Sequence, residues 1–151
     1  MSDQILVSFS DATRDTLKLM LDLEATSEQP CISEDAGEQL RVAIEITGDI
    51  QGVVYYRFPR KTVIEIVKIM SGMEITEIDD FVSSAIGEMA NIISGNAMNS
   101  LYEKNFVCDI KPPQISMNKP SIQYRGIEDG TQVVTDIGVF NLDLFQKDAR
   151  M

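Results

Sequence analysis

The sequence predicts an α/β fold of the α+β type, because strand-like and helix-like patterns occupy separate stretches of the 151 residues. Three observations carry this prediction: a β-hairpin near residue 50, a β-rich C-terminal third, and amphipathic segments before and after the hairpin. No internal repeat or low-complexity segment interrupts the chain, so we expect one domain over residues 1–151.

The hairpin is the clearest local signal. Residues 39–47 and 50–58 are rich in Val, Ile and Tyr, and the dipeptide Gly48-Asp49 between them is typical of a tight turn. The apolar positions of the first run recur every second residue, as in a strand with one buried face: Leu40, Val42, Ile44 and Ile46.

The first helix is expected at residues 10–24, where apolar side chains follow helical spacing. Ser10 or Asp11 can cap it, because a short side-chain oxygen accepts hydrogen bonds from the free N–H groups of the first turn. Residues 25–37 are polar and contain Pro and Gly, so they are expected to form a loop or a short irregular strand.

A second helix is expected at residues 60–71, between Pro59 and Gly72. Proline at the start of a helix and glycine just past its end are the favoured arrangement. The apolar stripe of this helix consists of Val63, Ile66, Val67 and Met70.

A long third helix is expected at about residues 76–102, with Thr76 as its cap. Its first residues include Glu77, Asp79 and Asp80, whose charge favours the positive end of the helix dipole. A metal-binding cluster is the less favoured interpretation of these acids. After this helix the pattern becomes β again, broken at Asp129-Gly130 and Gly138, with candidate strands at 106–111, 114–117, 120–127, 131–137 and 139–146.

The charge and the missing histidine restrict the function. The formal net charge is −11, from 13 Lys and Arg against 24 Asp and Glu, and the chain has no His. The absence of His excludes a Ser-His-Asp triad, a Cys-His pair and a His-ligated zinc. The acidity argues against nucleic acid and anionic lipid as partners, because both select for basic surfaces.

The cysteines and the N-terminus indicate a cytoplasmic protein. Cys31 and Cys108 are far apart in the chain, which favours reduced thiols over a disulfide. The first residues carry no basic segment followed by an apolar run, as a signal peptide would. No stretch approaches the roughly 18 apolar residues of a membrane span.

The third helix has two distinct faces at about 100° per residue. Asn96 falls within the apolar arc, so we expect it to be buried and hydrogen-bonded. The apolar arc, the expected core face, consists of Phe81, Val82, Ala85, Ile86, Met89, Ile92 and Ile93. The opposite side consists of Asp80, Ser84, Gly87, Glu88, Asn91, Ser94 and Gly95.

Ser84, Glu88 and Asn91 are spaced i, i+4, i+7 and therefore lie in one narrow line. Gly87 and Gly95 each cost about 1 kcal/mol relative to Ala inside a helix, so close approach of another backbone is expected there. That backbone belongs either to a partner or to a neighbouring element of the same fold, and the spacing alone does not decide between them.

Glu and Asn together suit a site that is completed by another protein. The Asn91 amide does not titrate and cannot act as a base, but it can position a water through its carbonyl and NH₂ groups. The Glu88 carboxylate can pair with a Lys or Arg of a partner. The pair is not a self-contained catalytic set.

The segment SAIGEMANIISGNA, residues 84–97, resembles the signature helix of the CheC/CheX/FliY phosphatases of bacterial chemotaxis. The family motif is Asp or Ser, three residues, Glu, two residues, Asn, and then a Pro about two dozen residues on. Ser84, Glu88 and Asn91 match it. Pro112 and Pro113 lie near the Pro position, at a spacing shorter by about one residue. The order of elements is similar over nearly the whole chain, and the single Glu-x-x-Asn helix resembles the CheX type.

The resemblance implies a fold with helices against an antiparallel sheet, and a homodimer that extends a sheet between subunits near residues 106–146. It also implies removal of the phosphoryl group from the aspartyl-phosphate of a CheY-type response regulator. Asn91 would orient the attacking water, Glu88 would pair with a regulator Lys, and Ser84, with Gly87 and Gly95, would contact the partner. The Mg²⁺ would belong to the regulator, so no cofactor or metal of the chain's own is expected.

Two alternatives remain open at this point. The same helix could serve a non-catalytic adaptor that docks a response regulator or another signalling protein. It could also be purely structural, a helix whose glycines pack internally, with Ser84, Glu88 and Asn91 buried against the same chain or a dimer mate. Surface exposure of Glu88 and Asn91 separates this last alternative from the other two.

Overall fold

The computed structural model describes residues 2–28, 38–117 and 127–146. Over these ranges the chain forms three α-helices and a 7-stranded antiparallel, curled sheet, which confirms the predicted fold class. In chain order the elements are α1 (Ser2–Leu21), β1 (Thr26–Glu28), β2 (Gln39–Gly48), β3 (Gly52–Pro59), α2 (Arg60–Ser71), α3 (Asp80–Glu103), β4 (Cys108–Ile110), β5 (Gln114–Met117), β6 (Ile127–Thr135) and β7 (Gly138–Gln146).

The strand order in the sheet is β1-β6-β7-β3-β2-β4, and β5 also pairs with β2. The β2–β3 hairpin is confirmed, and its Gly48 adopts a φ of 105° that favours glycine. Val107, just after α3, forms two hydrogen bonds with this turn. The Val107 N–H donates to Asp49 Oδ2 at 2.7 Å, and the Asp49 N–H donates to the Val107 carbonyl at 3.0 Å. The end of α3 is thereby tied to the hairpin.

The core lies between the helices and one face of the sheet. The four alternating apolar residues predicted for β2 are at most 1% exposed and belong to the same buried cluster as the apolar faces of all three helices. A second, smaller cluster lies on the other face of the sheet and consists of Ala43, Val53 and Tyr55, with Phe145 packed against it. The three helices contribute apolar side chains to the first cluster only, so each helix needs one apolar face, the one turned toward the sheet.

The limits of α2 are those predicted, but the starts of α1 and α3 are not. The structure extends α1 back to Ser2, so Ser10 and Asp11 lie inside the helix and cap nothing. Ile5, Phe9 and Ala12, at i, i+4, i+7, extend the buried stripe toward the N-terminus and account for the longer helix.

At the start of α3 the cap is Asp79, whose Oδ1 accepts a hydrogen bond from the Val82 N–H at 2.9 Å. The predicted cap, Thr76, lies in the preceding loop, where its carbonyl accepts a hydrogen bond from the Arg60 guanidinium at 2.8 Å. A cap satisfies N–H groups only when it lies directly before the first turn, and Thr76 is too far upstream.

The prediction of a break at Asp129-Gly130 is wrong, because β6 runs through it and pairs with β7 along its whole length. The actual turn is at Asp136-Ile137, before Gly138, whose φ is 145°. The prediction for 114–117 is confirmed as β5. The predicted strand at 120–127, most of the loop at 25–37, and Cys31 lie largely or wholly outside the described residues.

A buried hydrogen bond holds α3 on the sheet. The hydroxyls of Tyr56 in β3 and Ser94 in α3 are 2.7 Å apart, and both residues are fully buried. Burial keeps the pKa of Tyr56 well above its ordinary value, so this hydroxyl stays protonated at neutral pH. Ser94 had been expected on the polar side of the helix, but it points into the protein, where it gives the buried Tyr56 hydroxyl a hydrogen-bond partner.

We predict that Ser94→Ala lowers the free energy of unfolding by about 1–3 kcal/mol, since it leaves a buried hydroxyl without its partner. Tyr56→Phe removes the other half of the pair. The double variant should be less destabilised than the sum of the two single variants, because no orphaned hydroxyl remains. Urea unfolding of all four proteins measures this. Additive losses would contradict the importance of the hydrogen bond.

Candidate functional site

The predicted line of polar residues lies on the outer face of α3. Ser84 and Glu88 are exposed, and Asn91 is half-buried. Among the described residues, neither the Glu88 carboxylate nor the Asn91 amide has a hydrogen bond or an ion pair. Ser84 and Glu88 are therefore not buried against the described part of their own chain, which argues against the structural alternative as far as that chain is concerned.

The geometry of the line follows from the helix. At 1.5 Å per residue, Glu88 lies about 6 Å along the axis from Ser84 and about 4.5 Å from Asn91. A carboxylate and an amide thus project from adjacent turns toward the same region outside the protein. Neither side chain is used within the described structure, so both are available to a second molecule.

The two glycines of the polar side have different environments. A Cβ at Gly87 would lie 2.5 Å from Ile115 Cδ1, and 4.0 Å from Pro113 Cγ, so Gly87 is buried under the segment that leads into β5. A Cβ at Gly95 would have no atom within 4 Å. Gly87 thus fits internal packing and not the predicted contact with a partner, whereas Gly95 remains open to one.

Two other residues of α3 differ from expectation. Asn96 is exposed and not buried, although its Nδ2 donates to Thr16 Oγ1 in α1 at 3.2 Å. Phe81, predicted to lie in the core, is 51% exposed. The reason is geometric: Phe81 precedes Glu88 by seven residues, close to two turns, and so shares its outward face.

The far face of the sheet carries a separate group of charges. Arg57 Nε lies 2.6 Å from Asp143 Oδ2, and Arg41 faces Arg57 on the neighbouring strand. Burial raises the pKa of Asp143, and Arg57 opposes this; burial, with Arg57, lowers the pKa of Arg41. These charges are on strands, on the face away from the helices, and do not belong to the α3 site.

In the part of the chain that the structure describes, no group of three or more Cys, Asp and Glu side chains is placed to hold a metal ion. Over the same residues, no helix combines the length and apolarity that crossing a membrane requires. What α3 offers is one carboxylate and one amide at a fixed spacing. Such a pair can bind a cation of a partner and orient a water, but it supplies no nucleophile.

We predict that Gly95→Ala raises the free energy of unfolding by up to about 1 kcal/mol, because it gains helix propensity without meeting any atom. Gly87→Ala should gain less or lose stability, since Ile115 has to move. Urea unfolding of the two variants side by side makes the comparison. An equal or larger gain for Gly87→Ala would show that β5 does not constrain this helix.

Comparison with known proteins identifies relatives of the chain. Residues 40–137, about two thirds of the chain, match the family model described as Chemotaxis phosphatase CheX. The curated CheY-P phosphatase CheX of Thermotoga maritima is 29% identical over 118 residues, which are 76% of either chain.

Solved structures show the same fold. The chemotaxis protein CheX from Vibrio vulnificus superposes with a TM-score of 0.82 at 21% identity, over 95% of this chain and 99% of that one. The CheX of a CheX-CheY-BeF3-Mg²⁺ complex from Borrelia burgdorferi gives a TM-score of 0.74 at 22% identity, covering 94% and 97%. Since the family model spans well over half of its residues, the chain belongs to the CheX family of chemotaxis phosphatases.

Proposed function

We propose that this chain is a phosphatase that hydrolyses the aspartyl-phosphate of a CheY-type response regulator. The observation that carries the proposal is the exposed Glu88 with the half-buried Asn91, one turn apart on the outer face of α3, neither of which pairs with another described residue. The relative from Thermotoga maritima is named as a CheY-P phosphatase, and the structure from Borrelia burgdorferi is a complex with CheY. Both support a regulator as the partner.

Asn91 acts by positioning water. Its carbonyl oxygen accepts a hydrogen bond from the water and holds the oxygen in line with the phosphorus–oxygen bond that breaks. The water oxygen bonds to phosphorus, the aspartate carboxylate leaves, and inorganic phosphate is released with the protons of the water. The amide takes no proton, so its contribution is orientation, which is a large part of catalysis in phosphoryl transfer.

Glu88 acts by pairing with a Lys of the regulator beside the phosphoryl group. A charge-assisted hydrogen bond fixes the regulator relative to α3 and brings Asn91 to the reacting atoms. Ser84 supports this contact one turn earlier, and the open surface at Gly95 admits the regulator's backbone. The Mg²⁺ in this proposal is bound by the regulator, and the chain contributes no metal or cofactor.

We predict that Asn91→Ala lowers the rate of regulator dephosphorylation by about 100-fold or more, because a misplaced water costs on that order. Decay of a regulator phosphorylated with a small-molecule donor measures this. Asn99→Ala is the matched control, since Asn99 is an exposed Asn of the same helix about 12 Å further along it.

Full activity of the Asn91→Ala protein would overturn the catalytic role. If the unaltered chain binds the regulator but leaves its phosphate lifetime unchanged, the adaptor alternative holds instead. The two functions use the same face of α3, so only the lifetime of the phosphate separates them.

The proposal also includes a homodimer in which a sheet continues between subunits. The family resemblance places this edge in the C-terminal third of the chain, where β4 and β5 each pair with β2 and β6 and β7 lie inside the sheet. We predict that sedimentation equilibrium gives twice the 16.8 kDa mass of one chain at micromolar concentration. A monomer mass at every concentration would contradict the dimer and leave the catalytic proposal standing.

A further inference from the structure

Phe81 exposes about half of its aromatic side chain at the surface of α3. It is 51% exposed in the first turn of α3, although the next residue, Val82, is 1% exposed. Phe81 is not among the buried or partly buried residues that form the two apolar clusters of the described residues. Large aromatic rings are enriched at protein–protein interfaces compared with surfaces that contact only water.

The position of Phe81 relates it to the candidate site. It precedes Glu88 by seven residues, which places the two about 10 Å apart along the helix and within about 20° around it. Ala85 and Ile92 are half-buried on the same side of the line as Phe81, whereas Ser84 and Asn91 lie on the other side. Glu88 therefore stands between an apolar side and a polar side of one surface.

We propose that Phe81 is a docking residue that sets the affinity for the response regulator and leaves the hydrolysis step unchanged. The inference rests on the proposed function. The ring packs on an apolar surface of the regulator two helical turns from the Lys that pairs with Glu88. It excludes water from that part of the interface and so adds to the affinity without touching the reacting atoms.

The size of a protein interface makes this assignment specific. A standard interface covers about 800 Å² on each partner, a disc of about 16 Å radius. Centred on Glu88, such a disc includes Phe81 at about 10 Å and excludes Tyr102 at about 21 Å along the helix. Tyr102 is 67% exposed on the same line and is therefore a matched control, an aromatic residue equally free of the core.

The test separates affinity from rate. For Phe81→Ala we expect KM for the phosphorylated regulator to rise about tenfold with kcat within twofold, as for loss of a buried aromatic contact. A CheY-type receiver domain loaded with beryllofluoride and Mg²⁺ should bind the variant about tenfold more weakly in calorimetry. Phe81→Leu should restore part of the affinity, and Tyr102→Ala should match the unaltered chain.

Unchanged KM and affinity in Phe81→Ala would overturn the inference, as would an equal loss in Tyr102→Ala. A change in sedimentation of Phe81→Ala without regulator would assign the ring to contact between two copies of the chain, which also overturns it. The proposed function fails separately, if the unaltered chain does not shorten the phosphate lifetime at all. Because Phe81 is half exposed, its removal leaves the core intact, and circular dichroism checks this.

Discussion

The rotation of α3 about its own axis is the constraint on which the candidate site depends. Tyr56 is fully buried, and its hydroxyl reaches Ser94 at 2.7 Å, which fixes the side of the helix that faces the sheet. Gly87, on nearly the same side, lets Ile115 close over the helix. With that side held, the helix geometry turns Glu88 outward by roughly 100° or more. A rotation by one residue would orphan the tyrosine hydroxyl and push the carboxylate toward the core, and both changes are unfavourable.

The two sides of α3 differ in what they contribute. The buried side stabilises the fold, and the outer side carries the candidate site. The buried side is rich in apolar and small residues, from Val82 to Leu101, and supplies the packing against the sheet and the other helices. The outer side adds little to stability, because its polar groups are solvated and its Gly95 even weakens the helix. Packing within the protein therefore does not determine which side chains stand on that side, and binding to a partner could determine them instead. Exposure, and the absence of a hydrogen bond or ion pair to any other described residue, therefore leave Glu88 and Asn91 available to a second molecule.

Short-range sequence patterns predicted the features that depend on neighbouring residues only. The hairpin, the limits of α2 and the line of Ser84, Glu88 and Asn91 followed from turn dipeptides, caps and helical spacing, and the structure agrees with each. Some errors arose where distant segments decide, and others, such as the start of α1 and the side of Phe81, arose from local spacing that was read wrongly. Gly87 and Gly95 look alike in the sequence, and only the crossing of β5 distinguishes them. Phe81 was assigned to the core from its hydrophobicity, although its spacing from Glu88 already placed it outside. The family roles of Glu88 and Asn91 came from the resemblance, because no spacing shows which molecule they meet.

Long-range electrostatic attraction cannot direct a partner to Glu88 in preference to other acidic residues of the chain. The chain has a net charge of −11, and Glu88 is one of 24 acidic residues, so its field does not single out this carboxylate. Screening limits the reach of exposed charges to about 8 Å at physiological ionic strength. Selection must come from groups in contact, and a helix holds such groups at fixed distances. On α3 a carboxylate is followed by an amide one turn later and preceded by an aromatic ring two turns earlier. Within the described residues, no other acidic surface repeats this pattern. The proposed function does not need the histidine that the sequence lacks, because the amide would orient a water and the carboxylate would pair with a cation of the partner.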